Sequence, residues 1–168
     1  LSQEFFTELR WWRENVERRC SIPLIRPDRP ADAIVSGTDA SDLGCGAVAW
    51  LAGAREEIQH LFNCFEKSQP INFRELVGAT RIIQMWGPRL QGRRLLLETD
   101  NMATMWCVRR RKARTALMAE QLRRLYAVAE RWDIEVTIVH TPGVHLIRPD
   151  AISRGTAPAP GPRPPSPS

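Results

Sequence analysis

The chain has 168 residues, of which 43% are hydrophobic, and a formal net charge of +5. That length suits one domain with its own core. No apolar run approaches the about 18 residues a membrane span needs, and no secretory leader pattern stands out, so an intracellular protein of the cytoplasm or nucleus with no membrane partner is expected.

In chain order, Phe5, Leu9, Trp12 and Val16 recur at helical spacing and predict a helix over 4–18. Pro23, Pro27 and Pro30 then mark a linker. Residues 1–32, which open without Met, are expected to belong to an upstream region of a longer protein. Three short strands are expected at 33–36, 44–51 and about 57–62, joined as antiparallel hairpins. Pro70 precedes a helix over 72–87 with Glu75, Ala79, Ile82, Ile83 and Trp86 on one face, ended by Gly87-Pro88 and Gly92. The run Leu95–Leu97 reads as a strand buried on both faces, leading to Thr99-Asp100. A helix or helix pair follows over 101–131, with Met118, Leu122, Leu125, Ala129 and Trp132 as a core stripe. The last strand is 135–140, and Pro149 suits the first position of a short helix. The folded domain is expected over 33–154, and the Pro- and Ser-rich stretch 155–168 reads as disordered. The order βββ-α-β-α-β-α predicts an α/β fold: a mixed five-stranded sheet, three antiparallel strands then parallel strands, flanked by helices.

Four carboxylates punctuate this pattern, each at the edge of an apolar segment. They are Asp39 in Thr38-Asp39-Ala40-Ser41, Glu75 in Asn72-Phe73-Arg74-Glu75-Leu76, Asp100 in Thr99-Asp100-Asn101, and Asp150 in Pro149-Asp150-Ala151-Ile152-Ser153-Arg154. Oxygen-only ligands suit hard divalent cations such as Mg²⁺, and a pair of these is a device for cutting phosphodiesters. Asp39 and Asp100 are expected at the carboxyl ends of adjacent parallel strands, where α/β sheets place ligands. Glu75, taken alone, complements a helix dipole equally well. The positive charge is concentrated in Arg109, Arg110, Arg111, Lys112 and Arg114, with Arg123 and Arg124 beyond, and fits a polyanionic partner. It also fits a solvated helix face or a nuclear localisation signal. Cys20, Cys45, Cys64 and Cys107 form no Cys-x-x-Cys pair, so zinc and a disulfide framework are not expected.

Together and in order, these segments resemble the ribonuclease H domain of retrotransposon reverse transcriptases, most of all the DIRS-like group and its Ty3-like relatives. Trp11-Trp12, Gly44-Cys45-Gly46-Ala47 and His140-Thr141-Pro142-Gly143 add to the likeness, which covers about residues 8–154. The resemblance implies a ribonuclease H-like fold and hydrolysis of the RNA strand of an RNA–DNA hybrid, leaving 5′-phosphate and 3′-hydroxyl ends. It implies that Asp39, Glu75, Asp100 and Asp150 hold two Mg²⁺ ions, for which Mn²⁺ can substitute, with Asp39 shared between them. It also implies an upstream polymerase domain of the same polyprotein as partner. Asn72 and Asn101 become candidates for contact with the RNA 2′-hydroxyl, although Asn72 could equally cap its helix. The Arg109–Arg114 block lies where related enzymes grip the DNA strand.

The likeness departs at several positions. Cys45 stands where relatives often carry Trp, Gly37 is an added residue, and Leu146 and Pro149 replace the usual Asn and Ala. Pro149 is expected to push Arg148 toward an extended conformation and so to shift Asp150. His145 is a candidate auxiliary residue in the loop before Asp150, and His140 reads as structural. A catalytically silent hybrid-binding or connection-like domain is the alternative, but such a domain needs none of the four carboxylates. Integrase-type nucleases place Glu last, whereas Glu75 comes second.

Overall fold

The structure is a computed structural model that describes residues 2–19 and 33–158. The expected linker around Pro23, Pro27 and Pro30, and residues 159–168 of the expected tail, lie outside the described residues. Helix α1 (Gln3–Arg19) forms where the periodicity places it, with Phe5, Phe6 and Leu9 exposed; the side chains of Trp12 and Val16 lie outside the description.

Strands β1 (Ala33–Ala40), β2 (Gly44–Leu51) and β3 (Ala54–Leu61) form an antiparallel meander. β4 (Arg94–Thr99) lies parallel to β1, and β5 (Glu135–His140) parallel to β4. The order across the sheet is β3-β2-β1-β4-β5, so the expected mixed five-stranded α/β architecture is the observed one. The first strand is longer than the sequence pattern implies. Its pairing continues through Thr38–Ala47, Asp39–Gly46 and Ala40–Cys45, which puts Asp39 inside the strand. The third strand begins earlier, because a two-residue turn at Ala52-Gly53, both with positive φ, closes the hairpin at the Leu51–Ala54 pair.

A four-residue helix that periodicity could not show, α2 (Cys64–Lys67), is held by a capping box: Glu66 N–H donates to Asn63 Oδ1, and Asn63 N–H donates to Glu66 Oε2. Helix α3 (Ile71–Leu90) runs through Gly87-Pro88 instead of ending there. Pro88 is exposed, and the carbonyl it leaves without a helical donor belongs to exposed Gln84, where water can serve it. The 101–131 region is a pair, α4 (Met102–Arg110) and α5 (Ala116–Arg131), divided at left-handed Arg111 and restarted by Thr115, whose hydroxyl accepts from Met118 N–H.

Helix α6 (Ile147–Ser153) corrects the expectation for Pro149. The helix starts two residues earlier, Arg148 is helical, and Pro149 sits in the first turn, where its missing N–H is no loss. Residues 155–158 run back against α6 and β3. Gly155, Thr156 and Ala157 N–H groups donate to Ile152 and Ala151 carbonyls, and Arg148 Nη2 donates to the Pro158 carbonyl while gripping Glu57.

The core lies on one sheet face, where α3 and α5 bury Leu76, Ile82, Ile83, Leu90 and Leu125 against Leu95, Leu97 and Ile138. Leu96 is only half-buried, so β4 is dry on one face and not on both. Full burial of each such side chain contributes about 1.5–3 kcal/mol.

Candidate active site

Asp39 pairs with Gly46 across the sheet. A β-carbon at Gly46 would stand 2.3 Å from the Pro149 carbonyl oxygen and 2.6 Å from Ser153 N, so only glycine lets α6 settle on β2. That approach places Ser153 Oγ 2.9 Å from Asp39 Oδ2 and 2.8 Å from the Asp150 carbonyl. Ser41 Oγ also donates to the Ser153 carbonyl at 2.8 Å, fastening α6 to the end of β1. Burial raises the Asp39 pKa to about 6; the Ser153 hydroxyl opposes the rise, and the charges of Asp150 and Asp100 add to it.

Glu75 enters from the second turn of α3 and is 2% exposed. Its Oε1 accepts from Ala40 N–H at 3.0 Å and its Oε2 lies 3.4 Å from Thr99 Oγ1, so it touches the ends of β1 and β4 at once. Burial, reinforced by the Asp39 charge, pushes its pKa up to about 8. A dipole-complementing glutamate would sit in the solvated first turn, so the dipole does not account for this one.

Asp100 follows β4 directly and is exposed. Gly143, in the 3₁₀ turn Gly143–His145, leaves it room: a β-carbon there would approach Asp100 Oδ2 to 2.9 Å. Asp39, Glu75 and Asp100 each offer a carboxylate oxygen within 4.8 Å of the others. None of the three has an ion-pair partner among the described residues. Three carboxylates converging without an ion-pair partner among the described residues, two of them held toward the protonated form and only Asp39 partly offset by the more distant Arg154 charge, fit a divalent metal site.

Asp150 stands beside this group and not within it. Its charge is felt by Asp39, but its Oδ1 is taken by Arg154 Nε at 2.6 Å, one helical turn on.

Asn72 does not cap α3: the cap position is Pro70, with no side-chain bond. Its Oδ1 accepts from Asn101 Nδ2 at 2.9 Å, and Asn101 Oδ1 caps α4 by accepting from Thr104 N–H. Of the basic block, Arg109 and Arg110 end α4, Arg111 is its left-handed cap, and Lys112 and Arg114 lie in the connection to α5. Arg110 stacks over the Trp106 ring with its guanidinium carbon 4.6 Å from the centroid, and Arg111 over Tyr126 at 4.7 Å. An open groove of about 950 Å³, mostly apolar at Phe73, Leu117 and Met118, carries Asn72, Trp106, Arg110, Lys112, Arg114 and Thr115 on its lining. His145 and His140 are both exposed, His145 in the 3₁₀ turn and His140 at the last position of β5.

Sequence reasoning overlooked Ser153 and Trp106. Both left a signal: Ser153 stands three residues after Asp150, and Trp106 stands four before Arg110 on one helix face.

The sheet order and the helix placement are those of the ribonuclease H fold. No family model and no curated protein matches the sequence. Solved structures do match the fold. Ribonuclease H1 from the halophilic archaeon Halobacterium salinarum NRC-1 superposes with a TM-score of 0.57 at 14% identity, covering 74% of this chain and 97% of that one. LC11 ribonuclease H1, isolated from compost by a metagenomic approach, gives 0.56 at 18% identity, covering 74% and 94%. The same enzyme in complex with an RNA/DNA hybrid gives 0.52 at 17%, covering 71% and 92%. Among the described residues no helix is long and apolar enough to cross a membrane.

Proposed function

We propose that this chain is a ribonuclease H, hydrolysing the RNA strand of RNA–DNA hybrids as a domain of a retrotransposon reverse transcriptase polyprotein of the DIRS-like group, related to Ty3-like elements. The observation that carries this reading is the convergence of Asp39, Glu75 and Asp100 within 4.8 Å at the strand ends of this fold. In this reading residues 33–154 are the catalytic domain, residues 1–32 come from the upstream polymerase region, and the protein acts inside the cell.

Asp39, Glu75 and Asp100 would hold divalent cations, Mg²⁺ or Mn²⁺, with Asp150 completing the set through its second oxygen. When bound, such ions lower the pKa of an attacking water and neutralise charge on the leaving oxygen. Water adds to the phosphorus as the bond to the 3′-oxygen breaks, and that oxygen takes up a proton, giving 5′-phosphate and 3′-hydroxyl ends. The chain's own groups orient these parts. Ser153 donates to Asp39 and limits its rotation, and Ala40 N–H and Thr99 fix the Glu75 carboxylate. The Trp106–Arg110 groove, with Lys112 and Arg114, offers stacking and positive charge to the DNA strand. Asn72, which lines that groove beside Asn101, would meet the 2′-hydroxyl of the RNA strand. His145 serves as an auxiliary group from the neighbouring turn.

The test is incubation with a labelled RNA–DNA hybrid, with and without Mg²⁺, beside Asp39→Asn and Asp100→Asn. Mg²⁺-dependent cleavage lost in both variants is expected. Binding without cleavage would instead identify a silent hybrid-binding domain, and cleavage indifferent to both substitutions would refute the site.

A further inference from the structure

Two asparagine amides, Asn72 in the first turn of α3 and Asn101 at the cap of α4, bond to each other beside the groove, and a backbone donor fixes their orientation. Asn101 Oδ1 accepts from Thr104 N–H at 2.9 Å. A backbone N–H can only donate, so this contact decides which end of the Asn101 amide is oxygen. Its Nδ2 is therefore the atom that meets Asn72, 2.9 Å from Asn72 Oδ1. An amide NH₂ can only donate in turn, which makes the inner atom of Asn72 the acceptor. Thr104 Oγ1 also donates to the Asn72 carbonyl at 3.2 Å, pinning the backbone beneath. Asn72 Nδ2 is left with two N–H donors and no partner among the described residues, on a side chain that lines the groove.

Resting on the ribonuclease H reading, we infer that Asn101 is a positioning residue: its amide locks Asn72 with the donor end outward, so that Asn72 reads an acceptor in the minor groove of the hybrid, the 2′-hydroxyl oxygen of the RNA strand. Glu75 lies one helical turn beyond Asn72 on α3, and Arg110 and Lys112 line the same groove as Asn72. A duplex with its RNA strand at the carboxylates and its DNA strand along the groove would bring its minor groove to Asn72, which lines that groove one turn from Glu75. The minor groove of an A-like duplex is wide and shallow and displays the 2′-hydroxyls. Had the amide been flipped, an outward oxygen would accept from the hydroxyl proton only and would repel the acceptor atoms of the base edges. The N-terminal cap of α4 thus sets the chemistry of a side chain on α3.

The test is equilibrium binding in metal-free buffer, at one salt concentration, to an RNA–DNA hybrid and to the DNA duplex of the same sequence. Asn101→Ser keeps a capping oxygen and removes the donor to Asn72. Asn72→Ala removes the outward donor. Each is expected to lower the hybrid-over-duplex preference by about 3- to 10-fold, the worth of one neutral hydrogen bond, and the double variant is expected to fall no further than either single one. Asn101→Asp, which also keeps the cap, is expected to turn the Asn72 amide over and to lose at least as much. A substrate-free measurement runs beside these: the Asn72 side-chain couplings by NMR should report one rotamer in the wild type and averaging in Asn101→Ser. A hybrid preference that survives Asn101→Ser, additive losses, or an Asn72 rotamer unchanged by the substitution would overturn the positioning role alone. A wild-type protein without any hybrid preference would overturn both this inference and the reading beneath it.

Discussion

At the scale of single residues, the carboxylate cluster is arranged against its own ionisation. The Asp39 pKa is raised from 3.8 to about 6 and that of Glu75 from 4.5 to about 8, with burial as the first cause of each. The sign for stability follows. Below about pH 4 both the folded and unfolded chains hold these protons, and the groups cost nothing. From about pH 4 up to about pH 6 for Asp39 and about pH 8 for Glu75, the unfolded chain has released the proton while the fold retains it, so the metal-free protein loses stability as pH rises through that window. The lowered pKa values of Glu57, Glu66 and Glu120 act only at the acid end and leave this window clear. In EDTA, the melting temperature of wild type is therefore expected to fall from pH 5.5 to pH 8.5 by more than that of Glu75→Gln, which is neutral throughout. Equal slopes for the two proteins would refute the assignment. Ser153 makes a second residue-scale case. Its hydroxyl reaches Asp39 without being a ligand, and Ser153→Ala is expected to lower Mg²⁺-dependent cleavage by about 10- to 100-fold while leaving the fold intact, read from initial rates beside circular dichroism.

At the scale of elements, two contacts hold the site in place. The first is the seat of α6 on β2 at Gly46. Gly46→Ala drives a methyl group into the Pro149 carbonyl and the Ser153 amide, and it is expected to destabilise the protein by about 1–3 kcal/mol and to displace Ser153 from Asp39. Denaturant unfolding measures the first effect and the cleavage rate the second. A core truncation far from the site, Ile83→Ala, is expected to cost about 2–5 kcal/mol with the catalytic geometry preserved, so stability and activity separate between the two variants. The second contact is the α4–α5 connection. Arg110, Lys112 and Arg114 line the groove, whereas Arg111 is engaged as a helix cap stacked on Tyr126. Each phosphate contact adds roughly 0.7–0.9 to the slope of log affinity against log salt. Replacing the three groove cations with Gln is expected to reduce that slope by about two, as measured by hybrid binding across a salt series, and replacing Arg111 alone is expected to change it least.

At the scale of the whole molecule, the proposed metal binding would be linked to folding, because the cluster is assembled from β1, α3 and the β4–α4 junction and exists only in the folded chain. Mg²⁺ at 100 times its pH 8.5 dissociation constant is expected to stabilise the fold by about 2.7 kcal/mol at pH 8.5, and the same concentration is expected to stabilise it less at pH 5.5, since protons compete for Asp39 and Glu75 there. Scanning calorimetry with and without Mg²⁺ at the two pH values checks this.

The amino-acid sequence by itself determined the sheet and the order of its carboxylates. The strand spans of β2 and β5, the amphipathic stripes of α3 and α5 and the hairpin connections are local patterns, and local patterns are written in period and turn chemistry. The D-E-D-D order and the basic run were legible for the same reason. Only the tertiary structure decided the distances. It placed Glu75 against Ala40 and Thr99, carried Asp39 inside its strand, paired Asp150 with Arg154, and turned Asn72 toward Asn101 instead of its own helix end. Each of these joins residues from different elements, or weighs a local propensity against a long-range partner. Pro149 and Pro88 show the same competition: proline is a breaker by local rules, yet both lie within helices where the missing N–H falls in a first turn or leaves an acceptor exposed to water. Four carboxylates in order are a property of the chain; three of them within 4.8 Å is a property of the packed fold, because the approach of α3 to the ends of β1 and β4 is set by side-chain packing across the sheet.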